Sequence, residues 1–314
     1  MLEALVLSLG LVDHSYFIKE DLRDRFIGLL ENLHNQQVAV LIGAPVTWDM
    51  VKYPDMPFYI AYKWTKGPNV PSFFPADYGF IVLSSTINDD IRILPLVDNS
   101  HKMPMPGTPK KSPPPPGTNL NKLTIGYDSQ WNGFPAQDMG WAGEEMAAAI
   151  VCGPAISNIR KIKLVNHPSS KTMPFQGTTF KGPDYYYVKT KRSPQIPESP
   201  GINISAPEKK KIAPGEPSVL SGSFLLPDAK GKDILIHLLF SRPSIPGLYS
   251  YTVSIPYAAC EHKDTMSRGY FLFDLMNTMY WKPGDRFDVP EALFVSAVCK
   301  GVFSNPKELT FIRE

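Results

Sequence analysis

The chain has 314 residues, 43% hydrophobic and 20% charged, with a formal net charge of +2. That length suits about two domains, and the balance excludes a wholly disordered chain and gives no electrostatic reason to expect nucleic acid. Three cysteines, Cys152, Cys260 and Cys299, make no disulfide framework, and 32 prolines scattered without a period suit an all-β protein rich in loops.

The opening stretch, "MLEALVLSLGLVDHSYF", is apolar but lacks a basic flank and a small-residue cleavage site, and Asp13 interrupts it. It reads as neither signal peptide nor membrane span, which places synthesis in the cytoplasm and leaves the destination open, a particle or exported assembly included. From Asp13 to Asn35 the period changes. Leu22, Phe26, Leu29, Leu30 and Leu33 recur at helical spacing, with Asp13 or Ser15 as a cap, so residues 1–36 are expected to hold an amphipathic helix that buries its stripe elsewhere.

Residues 37–166 read as a first β-sandwich. Its apolar runs include "IAYKWTKGPNVP" from Ile60, "YGFIVLS" from Tyr78 and "DIRILPLV" near Asp89, and residues 99–140 read as a proline-rich insertion before the strand near Glu144. Phe73 and Phe74 fall in one of its long connections; Pro113, Pro114, Pro115, Pro116, Trp131 and Trp141 fall in the insertion. Proline lowers the entropy lost on docking, so this end is expected to contact a partner. Residues 167–199 read as a basic, proline-rich linker. From Arg160 to Lys211 there are eleven lysines and arginines against three acids. "DYYYVKTK" from Asp184 is the candidate for an added edge strand.

Residues 200–314 carry seven short runs: "GINIS", "SVLSGSFLL", "DILIHLLFS", "LYSYTVSI", "GYFLFDLM", "ALFVSAVC" and "ELTFI". Pro-Asp, Pro-Gly and Asn-Pro turns separate them, the pattern of a second sandwich. The segment Glu144–Val165 also aligns without gaps on Glu291–Ile312 at an offset of 147, bringing Cys152 onto Cys299 and Ser157-Asn158 onto Ser304-Asn305. This match, with a second between the Ile60 and Ile236 segments, predicts a tandem duplication.

On these runs, in the order A, B, C, C′, E, F, G, both halves resemble immunoglobulin-like and fibronectin type III-like sandwiches. The resemblance implies a fold of two tandem sandwiches and nothing about function, and the cysteine pair of antibody domains is missing.

Chemistry has few candidates. Cys260, His262 and Asp264 alternate in "CEHKD", which on an extended segment would aim all three one way, as a nucleophile with its base or a partial metal site requires; an ordinary polar loop is the competing reading. Neither a phosphate loop nor a zinc or nucleophile-elbow motif occurs, so no catalytic, cofactor or metal residue is assigned. If Ile234, Ile236, Leu238 and Phe240 face the core, then Leu235, His237 and Leu239, with Phe294 alongside, make an outer face too apolar for solvent. It is expected to be covered by the other domain, the helix or another subunit. The sequence therefore suggests a non-enzymatic structural or adaptor subunit with protein partners. A carbohydrate-binding module using Trp131 and Trp141 is the alternative.

Overall fold

In a computed structural model, the structure describes residues 38–44, 46–49, 56–64, 79–87, 89, 91–95, 118–125, 145–166, 180–181, 191, 193–205, 209–212, 219–242, 245–274 and 291–313. The chain divides into two compact units, residues 1–85 with 92–175 and residues 86–91 with 176–314. Both are built from strands; a single turn of 3₁₀ helix (Tyr257–Ala259) is the helical element among the described residues. The expected helix in residues 1–36 and the strand expected from Asp184 lie outside the described residues.

Unit 1 contains β1 (Val38–Gly43), β2 (Thr47–Asp49), β3 (Met56–Trp64), β4 (Gly79–Ser85), β5 (Ile91–Pro95), β6 (Thr118–Ile125), β7 (Glu145–Cys152), β8 (Ala155–Ile156) and β9 (Arg160–Val165). One sheet runs β1-β3-β6 and the other β2-β9-β7-β4-β5, with β8 hairpinned onto β7. In the second sheet β7, "EMAAAIVC", buries both its faces, whereas β9, "RKIKLV", alternates buried with exposed residues.

Unit 2 contains β10 (Phe180–Lys181), β11 (Gly201–Ser205), β12 (Lys209–Ile212), β13 (Val219–Pro227), β14 (Ile234–Arg242), β15 (Ile245–Ile255), β16 (Glu261–Lys263), β17 (Met266–Asp274), β18 (Glu291–Cys299), β19 (Val302–Phe303) and β20 (Lys307–Arg313). Its sheets run β11-β13-β17-β16 and β10-β15-β14-β18-β20-β12, with β19 on β18. Period-two alternation places one side of each strand inward: Ile202 and Ile204, Leu220 and Phe224, Phe271 and Phe273 from the first sheet, and Ile234, Ile236, Leu238, Phe240, Leu293, Val295 and Ala297 from the second, share one core. An all-β architecture of sheets packed on a common core follows.

The strands occur in the same order in both units once β10 and β16 are set aside. β1-β3-β6 matches β11-β13-β17, and β2-β9-β7-β4-β5 matches β12-β20-β18-β14-β15, down to the parallel pairing of β2 with β9 and of β12 with β20. The match is residue by residue at the last hairpin. Met146 pairs with Ile162 as Leu293 pairs with Leu309, and Cys152 with Ala155 as Cys299 with Val302. Ser157 Oγ accepts from the Ile150 N–H at 2.8 Å, and Ser304 Oγ from the Ala297 N–H at 2.7 Å. The turns differ: Lys300 (φ 47°) and Gly301 (φ 74°) both take the left-handed region of a type I′ turn, whereas Gly153 (φ 52°) precedes Pro154, whose ring forbids that region.

Three boundaries differ from the sequence reading. Thr118–Ile125, inside the supposed insertion 99–140, is β6, paired with β3 along eight residues from Met56↔Ile125 to Lys63↔Thr118. "TNLNKLTI" has weak apolar alternation and follows four prolines, which hid it. The proline run therefore precedes a strand of the first sheet and lies between β5 and β6, while Trp131 and Trp141 lie between β6 and β7. The Ile60 segment is β3, whose counterpart by strand order is β13, so its alignment on the Ile236 segment was one strand out of step. Lastly, residues 193–200 of the supposed linker lie on the outer side of the β11-β13 sheet, where the Gln195 carbonyl accepts from Asn203 Nδ2 (2.8 Å) and Ser223 Oγ (2.7 Å).

Candidate functional site

The apolar outer face of β14 and β18 is buried. Leu239 is 1% exposed, Phe294 4% and His237 5%; Leu235 is half-buried. Part of this cover is residues 86–91, which belong to unit 2. The Asp89 carbonyl lies 2.6 Å from His237 Nε2 and, being an acceptor, places the proton on Nε2; Nδ1 meets the Thr252 hydroxyl at 3.0 Å. The Asp89 carboxylate accepts from the Cys299 thiol at 3.6 Å. His237 thus holds a segment distant in sequence onto a sheet face, using both ring nitrogens for packing.

The expected alternation of Cys260, His262 and Asp264 is not formed. Cys260, the residue after the 3₁₀ turn, and residues 261–263 are extended, but Asp264 has φ 56°, the left-handed conformation of the β16–β17 turn, so the third position leaves the row. His262 instead joins Asp228, Tyr257 and Ser267. Its Nε2–H donates to the Tyr257 carbonyl at 2.8 Å, its Nδ1 stands 2.9 Å from Ser267 Oγ and 3.3 Å from Asp228 Oδ1, and Ser267 donates to Asp228 at 2.8 Å. The Tyr257 ring stacks on the imidazole with centroids 3.7 Å apart. The Ser267 hydrogen bond, with the nearby His262 contributing less, holds the Asp228 carboxyl below its ordinary range, whereas burial and the Asp228 charge push the Tyr257 phenol up.

Serine, histidine and aspartate are here in contact, but not as a nucleophilic relay. A relay needs the imidazole between the other two, one nitrogen to each, and a hydroxyl facing substrate. Here the serine stands between the other two, is fully buried, and the second nitrogen is taken by a carbonyl. The cluster ties the β13–β14 turn, the 3₁₀ turn, β16 and β17 together. Asp228 lies 39 residues from Ser267, a pairing that only the Pro227-Asp228 turn signal could have suggested.

The thiols are set for packing. Burial pushes Cys152 up to about 12 and Cys299 well above its ordinary value; burial, then Asp233 and Asp228, push Cys260 up to about 11. No thiolate is populated at neutral pH under those shifts. Among the described residues, no group of three or more His, Cys, Asp or Glu could hold a metal, and no helix is long and apolar enough to cross a membrane.

Phe73, Phe74, Pro113, Pro114, Pro115, Pro116, Trp131 and Trp141 lie outside the described residues. Compared with known proteins, the chain matches no protein-family model and no curated protein.

Proposed function

We propose that the chain is two tandem immunoglobulin-like or fibronectin type III-like sandwiches and that it works as a structural or adaptor subunit of a larger assembly, of virion, appendage or secretion type, through protein–protein contacts. The architectural half is supported by the shared strand order and by the paired Ser157 and Ser304 hairpins. One observation carries the functional half: His237 and His262, the two imidazoles among the described residues, each have both ring nitrogens engaged within the fold, His237 with the Thr252 hydroxyl and the distant Asp89 carbonyl, and His262 with the Ser267 hydroxyl and the Tyr257 carbonyl. Side chains so engaged serve architecture.

Within this reading the contacts with other subunits come from the long connections of the first half, which carry Phe73, Phe74, Pro113 to Pro116, Trp131 and Trp141. Light scattering on the full chain tests it. The expected mass is a multiple of 35.0 kDa that rises with concentration. A mass of one chain throughout, together with saturable glycan binding lost on Trp131→Ala or Trp141→Ala, would replace assembly by sugar recognition.

A further inference from the structure

The segment from Ser193 to Pro200 occupies a surface in the way a ligand would. On β11 and β13 the inward residues are Ile202, Ile204, Leu220 and Phe224, so Asn203 and Ser223 point outward, and they are directly paired across the two strands. Both donate to a single atom, the Gln195 carbonyl oxygen. Ser223 is wholly buried although it lies on the side of the sheet away from the core. Tyr270 pairs with Ser223 on β17 and takes the next place in the same outward row. Gly201 completes the fit: a Cβ there would come within 3.2 Å of the Pro197 ring.

The occupant has a recognisable composition. Lys191-Arg192-Ser193-Pro194-Gln195-Ile196-Pro197 reads as Lys, basic residue, Ser, Pro, two free positions, Pro. The same string occurs once more, in Lys110-Lys111-Ser112-Pro113-Pro114-Pro115-Pro116, which lies outside the described residues. Prolines three apart share one face of a polyproline II helix, which has three residues per turn. The bonds to Gln195 use only its carbonyl, and proline, which has no N–H, keeps that group. Pro114 in the second copy of the string can therefore replace Gln195 with nothing lost. Extended proline-rich peptides with an aromatic side chain beside them are a recurring recognition mode.

We infer that the outward row Asn203, Ser223 and Tyr270 is a proline-rich peptide site, filled within the chain by Ser193–Pro200, and that its exchange ligand is the Lys110–Pro116 segment of a second copy. A tethered occupant competes at an effective concentration on the order of millimolar, so exchange is suppressed until the strap is displaced. The inference deepens the assembly reading by naming one contact. A peptide titration can fail while light scattering still shows assembly, so the two fail separately.

The test uses the full chain with the strap disabled by Pro194→Gly, Gln195→Ser, Ile196→Gly and Pro197→Ser, and a fluorescent peptide KKSPPPPG followed by anisotropy. Saturable binding is expected, at least tenfold tighter than to the unaltered chain, and weakened at least fivefold by Asn203→Ala, an exposed position whose loss leaves the core intact. The disabled chain should also self-associate beyond the unaltered chain, and excess peptide should return it to the mass of the unaltered chain. A folded, strap-disabled chain that does not bind the peptide, or binds it equally with Asn203→Ala, overturns the site; binding without a change of mass overturns the second copy as occupant. If the strap variant does not fold, saturable binding of the peptide to the unaltered chain is expected at millimolar concentration. No binding at that concentration overturns the inference equally.

Discussion

Gly222→Ala should be among the most damaging single-methyl additions in unit 2. Gly222 on β13 pairs directly with Phe271 on β17, and a Cβ built on its backbone clashes with the Cζ edge of the Phe271 ring; two residues along, Gly269 on β17 pairs with Phe224 on β13, its Cβ 2.9 Å from Phe224 Cζ. Each glycine leaves the space that the opposite phenylalanine fills, so the two strands interlock reciprocally at the centre of the core. Phe271 is fully buried and cannot yield the way the far end of a flexible side chain yields. Overpacking of this kind costs about 1–3 kcal/mol, and expelling the ring would forfeit a similar amount of burial, about 1.5–3 kcal/mol. Against it stands a gain of about 0.4–1 kcal/mol from the stiffer unfolded chain, since Gly222 does not use a left-handed φ that alanine would refuse.

The net expectation is a loss of about 2 kcal/mol at Gly222 and less than half of that at Gly269, where the nearest ring atom is 2.9 Å away. For a unit of this size about 2 kcal/mol lowers the melting midpoint by roughly 4–8 °C. Thermal unfolding of the full chain followed by circular dichroism reads this, and a double-mutant cycle isolates the cause. With Phe271→Ala already in place, adding Gly222→Ala should cost nothing, a coupling of about 2 kcal/mol. A Gly222→Ala chain melting at or above the parent, or losing as much with Phe271 gone, would refute the interlock.

Asp228 carries a pH-dependent stability. Its carboxyl is held below the ordinary 3.8 chiefly by Ser267, so the unfolded chain binds the proton more readily and the stabilisation is complete above about 3.8, then disappears as pH falls through the folded value. Asp228→Asn should therefore melt below the parent at pH 6, with a smaller gap at pH 2.5; an equal gap at both would refute the ionic role. The thiols give another check: Cys152 and Cys299 should resist a disulfide reagent at pH 8 in the native chain, with Cys260 reacting slowly, and all three should react at once in denaturant. Rapid native reaction of Cys152 would show that the strand is not packed as described.

The unit 2 strands were legible because local alternation and tertiary placement agree. Ile234, Ile236, Leu238 and Phe240 alternate in sequence and face one core, and all seven runs read there are strands. The offset of 147 was legible for a different reason. Ser157 and Ser304 each close a hairpin by a side-chain bond to backbone, which fixes residue type and spacing together, whereas the Ile60 match rested on apolar alternation that any strand satisfies, and it slipped by one strand.

Proline misled in both directions, and for one physical reason. Its density signals a chain that makes few backbone ladders, yet it does not say whether the chain is free or docked. Before β6 it drew a strand into a supposed insertion; before β11 it made a docked segment look like a linker, because what fixes that segment is Asn203 and Ser223 meeting a carbonyl 8 and 28 residues away. The same holds for the site residues. Asp228 with Ser267, and His237 with Asp89, are ordinary polar residues in their local sequence, and become a knot and a pin only when the fold closes 39 and 148 residues of chain between them. Local pattern therefore marked the strands of unit 2 but not β6, while the polar groups that join strands acquired their roles from topology, which periodicity does not encode.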